Sequence, residues 1–391
     1  MAVYDLNGIP TGVYDINGNL IDGGGVAPTD NDSGYVTDPQ YITVEGSPYR
    51  LVWHDEFNGS DIDKNFWNDV HFISRVTNRY QAWTDYYLSD SKLHLRIKKD
   101  APNRYLSDDT QDMAVTAIQT GQVNKLHITS PFHHDINPFW GLITQEGYYE
   151  CRLKVFKATG GAHTAWWCVG IQDGLNASSP RAEIDITETW ASQTQKLPHG
   201  QHKQGDSSVT ESYRTTDVDI DFATDFHTVG FLWENGVYKW YVDGTLVDTM
   251  NINTPQYPMM HFLSAYKRRS GSGWTGQADT TLGDVEFQVD YLRIYKKATS
   301  QVSNTVTIVG YTPITINAST QDMTIDSDRG CPICFPSYVY VNWSDGSRTE
   351  HWVKWDSTKD TYNEYMANEQ SFDWRGYVYG IGLDIVARIN F

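Results

Sequence analysis

Residues 183–190 read Glu-Ile-Asp-Ile-Thr-Glu-Thr-Trp, and this run constrains the chain more than any other. In a β-strand alternate residues share a face. Glu183 and Asp185 therefore point one way, and Ile184 and Ile186 point the other, into a core. Glu188 has the wrong parity for the acid face. A one-residue β-bulge near Thr187 would return it there, so that three carboxylates line one side of one strand. Such a cluster is unfavourable without a use, because like charges raise each other's pKa. Retaining hydrolysis of a glycosidic bond supplies one: it needs a carboxylate nucleophile and a carboxylic acid roughly 5–5.5 Å apart. In a flat strand with the bulge, the Cα atoms of Glu183 and Glu188 lie on the order of 13 Å apart. Strand twist and two Glu side chains close most of that gap, with the shorter Asp185 between them. On spacing alone, a solvated acidic strand or a calcium site fits too.

The surroundings are those of an all-β protein. Short alternating runs such as Lys92 to Ile97, Gly147 to Val155, Thr228 to Trp233, Tyr238 to Val242 and Val285 to Tyr295 are separated by turns, and no long amphipathic helix is legible. That pattern predicts a sandwich or barrel. The 391 residues allow two or three domains. Lys plus Arg is 30 against Asp plus Glu at 49, a formal charge of -19. This excludes the net basic footprint of a general nucleic-acid binder and attraction to anionic membranes. Mean hydropathy is -0.51, and no apolar run is long enough to span a bilayer. Aromatic residues make up 14%, which marks a folded chain with rings for core packing or for binding.

The chain divides into four parts. Residues 1–22 hold a repeat, Val3-Tyr4-Asp5-Leu6-Asn7-Gly8 and Val13-Tyr14-Asp15-Ile16-Asn17-Gly18, whose Asn-Gly steps predict hairpin turns. Residues 23–47, rich in Gly, Asp, Thr and Pro, read as a linker. Residues 48–298 form the main all-β domain. Residues 299–391 again read as strands, and Asn342 to Ser347 with Val353-Lys354-Trp355 resembles a bacterial Ig-like repeat; a carbohydrate-binding module is the alternative. Cys331 and Cys334 form a single CxxC without a second pair, which favours plain thiols or a local disulfide over zinc. Cys151 and Cys168 read as buried thiols. The first residues lack the basic and apolar regions of a signal peptide. The expected site of action is extracellular, reached by lysis, on a virion, or after removal of a signal.

The segment Ala182 to Trp190 resembles glycoside hydrolase family 16, whose signature is E-I-D-x-x-E on a bulged strand of a β-jelly roll. The resemblance extends over residues 48–297: Leu51 to Gly59, Gly147 to Lys154, Trp166-Trp167, Phe226 to Trp233, Trp240 to Gly244, Gly273-Trp274-Thr275-Gly276 and Val289 to Tyr295 follow in the family's order. It implies a concanavalin-like jelly roll followed by an Ig-like β-sandwich. It implies an endo-acting, retaining glycosidase with Glu183 as nucleophile, Glu188 as general acid/base and Asp185 assisting. Trp167 would stack under the sugar at the cleaved bond, and Trp190 and Trp274 would border the cleft, with core packing as the alternative for each tryptophan. A histidine after the catalytic strand would approach the nucleophile; His199 and His202 are the candidates, and His202 is preferred. Asn78, followed by Arg79 where the family often has Glu, and Trp83 would contact sugar. No cofactor is required, and the resemblance allows a structural calcium held by Asp290.

The motif fixes the mechanism and leaves the sugar open. The expected partner is a polysaccharide, a β-1,3- or mixed β-glucan or a β-galactan. The alternatives are an anionic galactan, for which Lys267-Arg268-Arg269 offers a local basic patch, and a non-catalytic glycan-binding tail protein. Neither nucleic acid nor membrane insertion is expected. The N-terminal repeat or the Ig-like domain would attach the chain to a larger assembly.

Overall fold

The computed structural model describes residues 2–4, 10–14, 20–22, 32–69, 84–102, 112–122, 139–170, 182–302, 305–317, 338–355 and 372–390. Among these, every regular element is a strand, and none is a helix long and apolar enough to cross a membrane. Two large antiparallel sheets face each other. One runs Thr245–Asn251, Val237–Val242, His227–Glu234, Gly147–Lys154, Val285–Lys297, Ser47–Asp55 and Ser33–Tyr35. The other has six strands in the order Ser212–Asp217, Lys196–His202, Glu183–Trp190, Ala162–Gly170, Met259–Arg268 and Met113–Gln119. This is the expected jelly-roll sandwich.

The core between the sheets is strongly aromatic. Trp53, Trp67, Trp166, Trp233 and Trp240 are fully buried, so much of the aromatic excess is spent on packing, where large rings supply the most apolar area per residue. Alternation decides which rings escape. Trp166 belongs to the inter-sheet core. Its neighbour Trp167 points out of the other face of the strand, into a second cluster with Val115, Ile143, Ala165, Val169, Met260, Phe262 and Tyr266.

Residues 33–44, expected as linker, are part of this domain. Ser33–Tyr35 and Tyr41–Val44 both pair with Ser47–Asp55. Glu45 and Gly46 join the last two strands with φ of 50° and 77°, the positive values a two-residue hairpin turn requires. Val36 and Val44 are buried, and burial of those side chains outweighs a polar, turn-rich composition. At the N-terminus Ala2–Tyr4, Pro10–Tyr14 and Leu20–Asp22 form a small antiparallel sheet. The Asn-Gly steps between these strands lie outside the described residues, as do Cys331 and Cys334.

The C-terminal domain is a six-stranded sheet in the order Ile308–Tyr311, Tyr338–Trp343, Arg348–Trp355, Phe372–Val378, Leu383–Asn390 and Ile314–Asn317. The first and last strands of that order are joined by Thr312 and Pro313 alone. Two residues reach little further than about 10 Å, so the sheet must roll up to bring its ends together. Val306, Val339, Val341, Trp343, Val353, Val378 and Ile385 fill the roll.

Two buried ion pairs fasten this domain to the jelly roll. Arg50 Nε lies 3.0 Å from Asp345 Oδ2 with both side chains fully buried, and Lys296 Nζ lies 2.6 Å from Glu350 Oε2. Desolvating two ions is tolerable only when their remaining valences are met. Here Arg50 also donates to the Val36 carbonyl and the Ser347 hydroxyl and lies over Trp343. Asp345 accepts from Tyr41 and from the Ser347 amide and hydroxyl. The Asp-Gly turn legible in the sequence is thus also the interdomain anchor. Asp345→Ala strands the Arg50 charge in the interface and is expected to lower stability by about 3–5 kcal/mol. Chemical denaturation measures this, and an unchanged unfolding midpoint would contradict it.

Candidate active site

The site is set by one irregularity. Along the strands Ala162–Gly170 and Glu183–Trp190, Val169 faces Glu183, Trp167 faces Asp185, Trp166 faces Thr187 and Ala165 faces Glu188. Ile186 is the extra residue. Ile184 and Ile186 both enter the inter-sheet core, Thr187 shares that side opposite Trp166, and the next residue, Glu188, emerges on the Trp167 side. The bulge expected near Thr187 is therefore centred one residue earlier, with the same result for Glu188. A bulge leaves backbone groups outside the ladder. Here the Ile186 carbonyl accepts from the buried Trp240 indole of the facing sheet at 2.9 Å.

All three acids are sheltered. Asp185 is buried, and Glu183 and Glu188 are half-buried. Glu183 Oε2 accepts from Gln204 at 2.9 Å, and Glu188 Oε2 accepts from the Tyr213 hydroxyl at 2.7 Å. His202 pairs with Glu183 across the next strand. Its Nε2 lies 3.4 Å from Asp185 Oδ2, and its Nδ1 lies 2.6 Å from Glu211 Oε1. Glu183, Asp185 and His202 each bring one ligating atom within 4.8 Å of the others. His199 is excluded from the cleft: it is buried, bonds Asp248 at 2.8 Å and packs on Trp240.

The electrostatics favour protons on this cluster. Burial pushes Glu183 up to about 7, and the Glu188 charge adds to the rise while His202 and Gln204 oppose it. Burial, then Glu188 and Glu183, push Asp185 well above the carboxylate range. Burial raises Glu188 too, against the Tyr213 hydrogen bond. These acids titrate as a set, and burial and mutual repulsion hold protons on it into the neutral range.

The tryptophans divide as the strand parity dictates. Trp167 lies on the acid face, directly across from Asp185, stacked on Phe262 at 4.2 Å with its indole donating to Ser264. Trp190 meets Trp274 edge-on at 5.9 Å, and Trp274 is half exposed. Beneath Trp274 lies His163, stacked on Tyr266 and 3.9 Å from Glu188 Oε1. Burial and the charge of Arg268 hold His163 down at about 3, so it faces the acid as a neutral ring. Asn78 and Trp83 lie outside the described residues. Asp290 is ion-paired with Arg152, and nearby Glu56 is forked onto Arg293.

Of the basic run, Lys267 donates to the Leu282 and Gly283 carbonyls and Arg269 pairs with Asp112. Only Arg268 shares the face of Phe262 and Tyr266, and it is buried under Gly273, where any Cβ would strike its guanidinium. Sequence reasoning missed Tyr213, Gln204, Glu211 and His163. They come from separate strands and loops, and no local pattern marks them.

Trp240→Phe keeps a ring in the core and removes the donor to the bulge. Leaving that carbonyl unsatisfied is expected to cost about 1–3 kcal/mol, seen as a lower unfolding midpoint. A variant as stable as the parent would show that the bulge does not depend on this bond.

Residues 144–293 match the family described as Glycosyl hydrolases family 16. Among curated relatives, a glucan endo-1,3-β-glucosidase from Niallia circulans is 24% identical over 67% of this chain and 41% of its own length. A β-glucanase from Paenibacillus polymyxa is 29% identical over 39% of this chain and 62% of its own. The chain thus spans less than two thirds of either relative. Among solved structures, a GlcNAcα1-4Gal-releasing endo-β-galactosidase from Clostridium perfringens superposes with a TM-score of 0.58 at 20% identity, over 90% of this chain and 84% of that one. The catalytic domain of an endo-1,3-β-glucanase from Thermotoga petrophila gives 0.50 at 22%, over 64% of this chain and 99% of its own. The carboxylate strand therefore lies inside a segment that matches glycosyl hydrolases family 16, on the jelly-roll fold of these solved enzymes.

Proposed function

We propose that the chain is an endo-acting, retaining β-glycosidase that cleaves a neutral β-glucan or β-galactan. The observation that carries this is the bulged strand with Glu183, Asp185 and Glu188 on one sheltered face beside Trp167. In this reading the Glu183 carboxylate attacks the anomeric carbon as Glu188 protonates the departing glycosidic oxygen. A covalent glycosyl–Glu183 ester results. Glu188, now a base, takes a proton from water, which hydrolyses the ester and restores both groups. Asp185, kept neutral by burial between two acids, can donate its proton to Glu183 and steady the leaving carboxylate. The family match and the β-glucanase relatives support the reaction class. The commitment of Lys267 and Arg269 to protein partners favours a neutral polymer over an anionic galactan.

Glu183→Gln is expected to reduce release of reducing ends at least about a thousandfold while glycan binding survives. Digestion of laminarin, barley β-glucan, agarose and carrageenan with product sizing reads both activity and substrate. Near-normal turnover by the variant would sink the assignment, and tight binding without turnover by the parent would favour a glycan-binding protein.

The acidic limb of kcat/KM should report ionisation of Glu183, near 7. The positive charge of His202 lowers that pKa, so removing it raises the pKa. In His202→Ala the acidic limb should move to higher pH, with the greatest loss of activity below neutrality. A limb that stays put or moves to lower pH would contradict this role.

A further inference from the structure

We propose that Glu183, Asp185 and His202 form a reversible binding site for a divalent cation of the zinc class, and that its occupancy takes the nucleophile out of action. The site itself stands on geometry, and only the consequence for turnover rests on the glycosidase reading above. Among the described residues, only these three of the His, Cys, Asp and Glu side chains form a trio whose ligating atoms all come within 4.8 Å of one another. They meet because Glu183 and Asp185 share a face of one strand and His202 pairs with Glu183 from the next.

The imidazole is oriented from outside. Its Nδ1 lies 2.6 Å from Glu211 Oε1, and the other oxygen of Glu211 accepts from the Lys203 amide at 2.8 Å. The Tyr213 ring stacks on the imidazole at 5.3 Å. With Nδ1 engaged by a carboxylate, Nε2 is the nitrogen turned toward the acids. A carboxylate behind a histidine is the support that metal-ligating imidazoles use, because it fixes the tautomer and makes the other nitrogen a better ligand.

Asp185 supplies a second, independent sign. Its side chain is 2% exposed, yet among the described residues its Oδ2 has no hydrogen-bond partner. A buried polar atom left so carries a desolvation cost. What it faces is His202 Nε2, at 3.4 Å. Two ligands bound at about 2.0–2.1 Å to a tetrahedral ion sit about 3.3–3.4 Å apart. Oxygen and nitrogen therefore already stand at the separation that one shared ion sets. Glu183, long and half-buried, closes the remaining distance by rotating its side chain, and water completes the four ligands.

The donor set selects the ion. One imidazole nitrogen and two carboxylates suit zinc and its transition-metal neighbours. Calcium takes about six to eight oxygens at longer distances, and magnesium a near-ideal octahedron of oxygens, and this trio offers neither. An ion held here draws on the carboxylate that must attack the anomeric carbon, and it supplies the positive charge that three crowded acids lack.

The test uses the untagged full chain, stripped with a chelator and then dialysed against zinc chloride. The parent should bind one zinc ion per chain more than His202→Ala, or bind that ion at least about tenfold more tightly. Equal concentrations of magnesium or calcium should not displace it. With cobalt in place of zinc, the intense visible absorption of a tetrahedral site should appear in the parent and not in the variant. Should His202→Ala fail to fold, Glu211→Gln, which removes the support of the imidazole, should weaken zinc binding about ten- to a hundredfold. At zinc about tenfold above its Kd, the parent's cleavage of laminarin, barley β-glucan, agarose or carrageenan should fall about tenfold and return with excess chelator. Equal zinc binding by the parent and His202→Ala overturns the site. Full turnover by the zinc-loaded chain overturns its inhibitory role. Absence of cleavage of all four polymers by the chelator-stripped parent overturns the glycosidase reading and the inhibitory role with it, while the binding comparison still decides the site.

Discussion

The site depends on a single extra residue in one strand. Without Ile186 in the bulge, Glu188 would project into a core of tryptophans, where an unpaired carboxylate costs several kcal/mol even after it takes up a proton. With it, the strand keeps Ile184 and Ile186 inside and delivers three acids outside. The facing sheet takes part, because its Trp240 both fills the core and caps the freed carbonyl. Catalytic placement and core packing are therefore one problem in this fold, solved between two sheets.

The same strand explains the proton economy of the site. Asp185 is buried with a carboxylate two positions before it and another three positions after. Three negative charges at that spacing in a sheltered face are not sustainable, so the cluster holds protons into the neutral range. Partners on separate elements temper that rise. His202 and Gln204 pull Glu183 toward ionisation, and the Tyr213 hydroxyl and His202 do the same for Glu188, which also faces the neutral His163.

Much of this was legible in the sequence because it follows from period-two alternation. The acid face, the core face and the need for a bulge come from parity along residues 183–190, and the place of Trp167 from the family resemblance. What was not legible depends on long-range pairing. Tyr213 reaches Glu188 from two strands away, and His163 reaches it from the other side. Residues 33–44 looked like linker because composition speaks for the turns and not for Val36 and Val44, whose burial decides the matter. The run Lys267 to Arg269 looked like a basic patch, yet in a strand three consecutive side chains cannot share a face. Lys267 turns to the loop carbonyls at Leu282 and Gly283, and Arg269 turns to Asp112.

The interdomain anchor fixes how the C-terminal domain is docked. Apolar docking alone tolerates sliding, because dispersion and burial are weakly directional. Buried charges are directional. Arg50 meets Asp345 and Ser347 at fixed distances while the Tyr41 hydroxyl reaches the same carboxylate, and Lys296 meets Glu350 under the Gln145 and Glu146 carbonyls. Sliding by one residue would strand at least one ion without a partner. The interface therefore has one register.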